Sequence, residues 1–415
     1  MSSRGRDAPR RAVVFSGGGA RGAYEAGVTR FLVEELPIRL GHSISFDIVC
    51  GTSVGAIHAS YLGATADQDA NRGIRLVDFW RSMKLEEVLP FSTRDLFGLP
   101  RRLFGLRRVA EAMRGGNAPD RLYGLLDTSH LERLVLRAIP WRRIRTNVGE
   151  QRVGAVCIAA TEIATGRVVV FLETPDPKLP SWTRDPTVVP RVTHLRPTHA
   201  LASAAIPLLF PVVRIGSSYY ADGGLRLNTP LSPALRLGAD RVLVVALRPS
   251  YHEGGDSQAG DHRVEDYASP AFLFGKILNA LLLDHLDTDV ARMRDMNELI
   301  REGHKAFGGD FLTQLNESAI QDRGQAFRAI DHVVIRPSAD LGVLAGQVLG
   351  NLPEASLRSP LFRLAMRNLN PGRRSAEADL LSYLLFDGEF LDPLAELGYR
   401  DALAREEELA AFFTD

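Results

Sequence analysis

Two stretches decide the fold. Ala12-Val13-Val14-Phe15 runs into Ser16-Gly17-Gly18-Gly19-Ala20-Arg21-Gly22, and Phe46-Asp47-Ile48-Val49-Cys50 runs into Gly51-Thr52-Ser53-Val54-Gly55. Each is a short apolar run that ends in a glycine turn. After the first turn, Ala23, Ala26, Gly27, Phe31, Leu32 and Leu36 fall at helical spacing, which predicts one helix from Ala23 to Leu36. After the second, a helix of small residues is expected to about Leu62. Strand, glycine turn and helix, repeated, is the grammar of an α/β fold with a parallel sheet and helices on its faces.

Working outward, Val153 to Ala160 and Arg167 to Leu172 read as strands joined by the turn Glu162-Ile163-Ala164-Thr165-Gly166. Residues 174–197 are rich in proline and read as a loop. A short helix is expected around 198–205, before Pro207. Tyr219-Tyr220-Ala221 leads into Asp222-Gly223-Gly224, and Arg241 to Leu247 reads as a strong central strand. Residues 252–262 carry almost no apolar side chain and mark a boundary or exposed loop. Beyond it, 269–307 and 376–414 read as helices, with a strand at His332 to Arg336. The expected organisation is a polar tail (1–11), an α/β domain (12–250), and a mostly helical extension (251–415) packed on it.

Composition narrows the function classes. The chain has 415 residues, with 50 Lys plus Arg, 50 Asp plus Glu and 45% hydrophobic residues. That supports a large core and excludes disorder as the main state. Zero net charge argues against a polycation and hence against nucleic acid as partner. Two cysteines, Cys50 and Cys157, both in apolar runs, make neither a disulfide framework nor a zinc site. Apolar stretches such as Ile277 to Leu283 are broken within about ten residues, against the ~20 needed to span a bilayer. Arg10-Arg11 resembles a twin-arginine signal, but the glycines at 17, 18 and 19 cut the apolar region short. A cytoplasmic protein without a signal peptide is expected.

The glycine turns carry the chemistry. Gly17, Gly19 and Gly22 match G-x-G-x-x-G, but the second strand ends in Gly51-Thr52-Ser53 rather than an acid for a ribose. Consecutive glycines ahead of a helix still present backbone N–H groups to an anion, including the oxyanion of acyl transfer. Gly51-Thr52-Ser53-Val54-Gly55 is G-x-S-x-G between strand and helix, the turn that presents a serine above a sheet edge. Serine needs a base. None of the ten histidines sits in a turn that announces itself, and His58, five residues after Ser53 on a helix, points away from the elbow. Asp222, hemmed by glycines, is the better candidate, since a buried carboxylate can take the serine proton directly.

Together the three turns, with Ala202-Ser203-Ala204-Ala205-Ile206-Pro207 and Phe210-Pro211, resemble the signatures of bacterial patatin-like phospholipases over roughly residues 10–250. The resemblance implies a three-layer α/β/α fold with a mainly parallel sheet. It implies a Ser53–Asp222 dyad, with neither metal nor cofactor. It implies an oxyanion hole from Gly17, Gly18 and Gly19, chiefly the N–H groups of Gly18 and Gly19, and a loop anchored by Arg21 and Gly22. Gly51 and Gly55 would shape the elbow, and Gly223 and Gly224 the base turn. The substrate implied is a phospholipid or other lipid ester, cleaved through an acyl-enzyme as by a phospholipase A, lysophospholipase or esterase. One departure is Tyr24-Glu25, where many bacterial members have Ala-His. Two other readings remain open: a Ser-His-Asp esterase with a downstream histidine such as His252, and a catalytically silent lipid-binding protein on the same fold.

Charge is segregated along the chain. Residues 94–145 hold twelve arginines against five acids, a net +7, interleaved with Phe97, Phe104 and Trp141 and preceded by Phe91. Such a segment suits an anionic membrane surface, which makes peripheral membrane contact an expectation; the plainer alternative is a solvated arginine face. Residues 387–415 carry a net −7.

Overall fold

The computed structural model describes residues 8–68, 70–88, 119–122, 128–176, 179, 185–207, 209–249, 286–323, 326–351 and 382–414. The strands among them are β1 (Arg11–Phe15), β2 (Ile48–Thr52), β3 (Arg121–Leu122), β4 (Ala155–Glu162), β5 (Val168–Glu173), β6 (Val188–Val192), β7 (Val212–Ile215), β8 (Ser218–Asp222), β9 (Arg241–Val245) and β10 (Asp331–Ile335). The helices are α1 (Gly22–Arg30), α2 (Leu36–Leu40), α3 (Val54–Ala64), α4 (Arg72–Arg81), α5 (Leu85–Val88), α6 (Ser129–Ala138), α7 (Arg142–Gly149), α8 (Pro197–Ser203), α9 (Leu231–Arg236), α10 (Leu286–Phe307), α11 (Phe311–Arg323), α12 (Leu341–Asn351), α13 (Gly388–Leu403) and α14 (Glu406–Phe413).

The strands form one sheet in the order β10-β9-β1-β2-β4-β8-β7-β3, with β5 on β4 and β6 on β5. The five strands from β10 to β4 are parallel, and an antiparallel flank follows through β8, β7 and β3. Side-chain alternation divides the core into layers. Val13 and Phe15 of β1, Val156 and Ile158 of β4, and Leu243 and Val245 of β9 join one cluster, which also holds residues of α1, α3, α4 and α13. Their neighbours Ala12, Val14, Cys157, Val242 and Val244 join a second cluster under α9 and α10. Every strand in the middle is therefore buried on both faces, which is why its sequence is a continuous apolar run rather than an alternating one.

Several expectations change in detail. The single helix expected from Ala23 to Leu36 is broken by a wide turn at Phe31–Glu35, where Leu36 N–H reaches back to Phe31 O. Pro37 follows at once; it has no N–H to donate and its ring crowds the preceding turn. The proline-rich loop 174–197 contains β6, parallel to β5. Arg241–Val245 is one strand in from the β10 edge rather than central. The polar stretch 252–262 lies outside the described residues. Past it, the chain returns to the sheet as β10 beside β9, and α13 packs across α1.

Candidate active site

Ser53 sits at the junction of β2 and α3 with φ 56° and ψ −124°. Holding a serine there costs about 1–3 kcal/mol, the strain expected of a turn that must present a hydroxyl. The flanks must be glycine, because the backbone folds on itself. A Cβ on Gly51 would lie 2.0 Å from the Gly55 carbonyl oxygen, and one on Gly55 would lie 2.5 Å from that of Phe15.

The base turn meets this elbow on a shared strand. β4 pairs with β2 as far as Thr52 opposite Ala159, then with β8 from Asp222 opposite Ala160. Two consecutive residues of β4 thus hold the last residue before the serine and the aspartate itself. The result is direct contact: Ser53 Oγ donates to Asp222 Oδ2 at 2.6 Å, with both residues buried. Gly224 N–H donates to the other carboxylate oxygen at 2.7 Å. Gly223 lets the turn close, since a Cβ there would stand 2.3 Å from Ala159 O. The Asp222 backbone is fixed at both ends, its N–H on Ala205 O and its carbonyl under the Thr161 hydroxyl.

Burial pushes the Asp222 carboxyl up to about 7, against the opposing pull of the hydrogen bonds from Ser53 and Gly224. A carboxylate at that value is a base near neutral pH, and its hydrogen-bonded serine is an activatable nucleophile. Among the described residues no histidine joins this contact, and no group of three or more His, Cys, Asp or Glu side chains could hold a metal. His252 lies outside the described residues.

The first glycine loop borders the same point, with one correction to its expected roles. Gly17 lies so close to Ser53 that an added Cβ would stand 3.0 Å from the serine Cβ, but its N–H is spent on Asn228 O at 3.1 Å. It is therefore not an oxyanion donor. Among the described residues no such bond engages the N–H groups of Gly18 and Gly19. Gly19 adopts φ +58°, the left-handed turn that glycine enters without penalty, and opens the tight turn Gly19–Arg21. Gly22 then starts α1. Arg21 is 4% exposed and holds to Ser382 and Tyr383.

Sequence reasoning missed four side chains that brace the site. Ser203 accepts the Ser53 N–H at 2.8 Å and donates to Ala159 O at 2.6 Å, tying the elbow to β4. Thr52 donates to Leu227 O. Asn228 returns its amide to Gly17 O at 3.3 Å. Thr161 caps Asp222 as described. Ser203 lay within a recognised motif; Asn228, six residues after Asp222, carried no signal of its own.

A second buried pair lies between the helices that follow the two turns. Glu25 on α1 and His58 on α3 are fully buried, with His58 Nε2 3.6 Å from Glu25 Oε2. His58 stacks on Trp80 at 5.5 Å. Burial drives the Glu25 carboxyl well above its ordinary range and drops His58 to about 3, favouring the neutral form of each. Among the described residues neither finds a hydrogen bond of good geometry, and the Ser16 N–H near Glu25 is itself spent on Val245.

Comparisons with known proteins bear on the family of the chain. The patatin-like phospholipase family model matches residues 13–235. A Pseudomonas aeruginosa protein described as a cGAMP-activated phospholipase is 30% identical over 222 residues, 52% of this chain and 53% of that protein. A Caenorhabditis elegans protein described as patatin-like phospholipase domain-containing is 38% identical over 84 residues, 20% of this chain and 7% of that protein. The chain thus spans about half the length of the first relative and a small part of the second. The crystal structure of VipD from Legionella pneumophila aligns over 93% of this chain and 67% of that one, at 13% identity and a TM-score of 0.30. A superposition of that quality says nothing about the site.

Proposed function

The chain belongs to the patatin-like phospholipase family, and from that premise we propose that it is a serine lipid acyl hydrolase working through a Ser53–Asp222 dyad. The family supports lipid acyl hydrolysis as the class of activity. The observation that carries the finer reading is the 2.6 Å hydrogen bond from Ser53 Oγ to Asp222 Oδ2.

In this reading Asp222 accepts the Ser53 proton as Oγ attacks the ester carbonyl carbon. The carbonyl π electrons move to oxygen, and the N–H groups of Gly18 and Gly19 hold the resulting oxyanion. Collapse expels the alcohol, which takes the proton back from Asp222, and leaves an acyl-Ser53. Water, deprotonated by the same carboxylate, releases the fatty acid and restores the hydroxyl. Removing one oxyanion donor in such a site costs ~10²–10³ in rate. The His-dependent alternative is disfavoured because both Asp222 oxygens accept from Ser53 and Gly224.

The substrate reading is a phospholipid met at a bilayer surface on the cytoplasmic side. Among the described residues no helix is long and apolar enough to cross a membrane. Arg137 and Leu136 on α6 and Arg142 and Arg145 on α7 are exposed, which supports surface contact. Most of the basic segment, residues 94–118 and 123–127, lies outside the described residues. Co-sedimentation with vesicles should rise with anionic lipid content and fall when these arginines become alanine; indifference to both would refute the contact.

Purified protein incubated with a mixed lipid extract, with and without cGAMP because of the Pseudomonas relative's description, should release free fatty acid. Ser53→Ala should release none. Failure of a fluorophosphonate to label Ser53 in folded protein would favour the silent lipid-binding reading.

A further inference from the structure

The oxyanion loop is held from a part of the chain far outside the family match. Arg21 Nε donates to Ser382 Oγ at 2.7 Å, across 361 positions of sequence. Its Nη1 donates to the Tyr383 hydroxyl at 3.4 Å, and the guanidinium carbon lies 4.1 Å from the centre of the Tyr383 ring. Ser382 is fully buried and Tyr383 is 6% exposed. The clasp also touches the loop backbone: a Cβ on Gly19 would stand 2.3 Å from the Tyr383 carbonyl oxygen. One seryl-tyrosyl step therefore contacts both ends of the turn Gly19–Arg21.

The clasp is itself bolted down. Phe386 stacks on Trp80 with ring centres 6.3 Å apart, and Gly388 N–H donates to Met83 O at 2.9 Å. α13 then lies directly on α1, backbone to backbone. A Cβ on Gly27 would meet Ala395 O at 1.8 Å, and one on Gly398 would meet Tyr24 O at 2.0 Å. Tyr24 donates to Asp401 at 3.0 Å. Such contact leaves Ser382 and Tyr383 little freedom relative to the helix that begins at Gly22.

We propose that Ser382 and Tyr383 are positioning residues for the reaction, holding the Gly18–Gly19 amides in place through Arg21. This rests on the reading of the chain as a Ser53–Asp222 hydrolase. Oxyanion donors act only when aimed at the place where charge develops, and their worth falls steeply with misalignment. A guanidinium gripped by two hydroxyls and one aromatic face is fixed in both direction and tilt. Neither residue touches the substrate in this account, so the effect must appear in the transition state and not in ground-state binding.

The test measures ester turnover, and affinity for a boronic-acid analogue that forms a tetrahedral adduct on serine, in the full chain. Ser382→Ala combined with Tyr383→Leu should lower kcat by ~10²-fold, the scale of one lost oxyanion donor, with KM within about threefold. Affinity for the boronic acid should fall in parallel. Ser382→Thr and Tyr383→Phe, which keep the acceptor and the ring, should recover most of the rate. If the double variant does not fold, Ser382→Ala alone, which removes one hydroxyl, carries the same comparison at smaller amplitude. An unchanged kcat, or a loss confined to KM, overturns the proposal. Its failure is distinct from failure of the hydrolase reading, which would appear as no turnover and no Ser53 labelling in the unaltered protein.

Discussion

Among the described residues two carboxyl groups are buried near the glycine loop, and only the proposed base, Asp222, faces a serine hydroxyl. Asp222 and Glu25 are both almost wholly inaccessible, and burial raises both. The difference lies in what faces them. Asp222 has a hydroxyl and a backbone N–H aimed at its two oxygens, which lower the cost of its charged form and leave it near 7. Among the described residues Glu25 has an imidazole at 3.6 Å and no hydrogen bond of good geometry, and burial favours its neutral form. Burial alone silences an acid; burial with two oriented donors keeps it available near neutral pH.

The contrast is sharpest in turnover. Asp222→Asn should lower kcat for ester hydrolysis by ~10²–10⁴-fold, the range a positioned general base supplies. Glu25→Gln, which keeps shape and neutrality, should leave kcat within about threefold. Equal losses in the two variants would abolish the distinction between base and silent acid.

The pH profile tests the same contrast at smaller amplitude. Only ionised Asp222 can accept the serine proton, so kcat/KM should climb about tenfold per unit below pH 7 and level off above it. Glu25→Gln should leave that profile in place. A profile flat from pH 5 to 8 would remove Asp222 as the titrating base.

Stability gives the smallest signal. The raised Asp222 value means the folded state prefers the neutral acid. Its contribution is fully present below the unfolded value of about 3.8, and is lost as pH rises through about 7. Asp222→Asn should therefore raise stability at pH 7.5 by roughly 1–3 kcal/mol and leave it nearly unchanged at pH 4. Thermal melts at the two pH values measure the gap, and a gap of equal size at both would contradict the assignment.

Much of this site was legible in the chain because its turns are local. A glycine-flanked serine between strand and helix, and an aspartate before two glycines, announce themselves within five residues each. The parallel sheet with helices on its faces followed from the repeated strand, turn and helix, whereas the three layers came with the family resemblance. The unread parts are those decided across the sheet. The Gly17 amide looked like a donor until Asn228, 211 positions away, was seen to engage that glycine. β6 hid in a proline-rich stretch because an edge strand needs few of its N–H groups. Glu25 and His58 each look polar and surface-like in sequence. Only the packing of α1 on α3 makes them face each other.

The switch of partners along β4 has a consequence for how the protein acquires activity. Ser53 and Asp222 are 169 residues apart, and each is placed by pairing with the strand that contains Ala159 and Ala160. Helices can form from nearby residues within microseconds, whereas these pairings close long loops and belong to the slow part of assembly. A chain with most of its helical signal restored would still hold a serine without a base. If Ser53 and Asp222 act as the proposed dyad, reactivity of Ser53 is an internal clock for folding, starting only when two distant segments have annealed to neighbouring rungs of one strand.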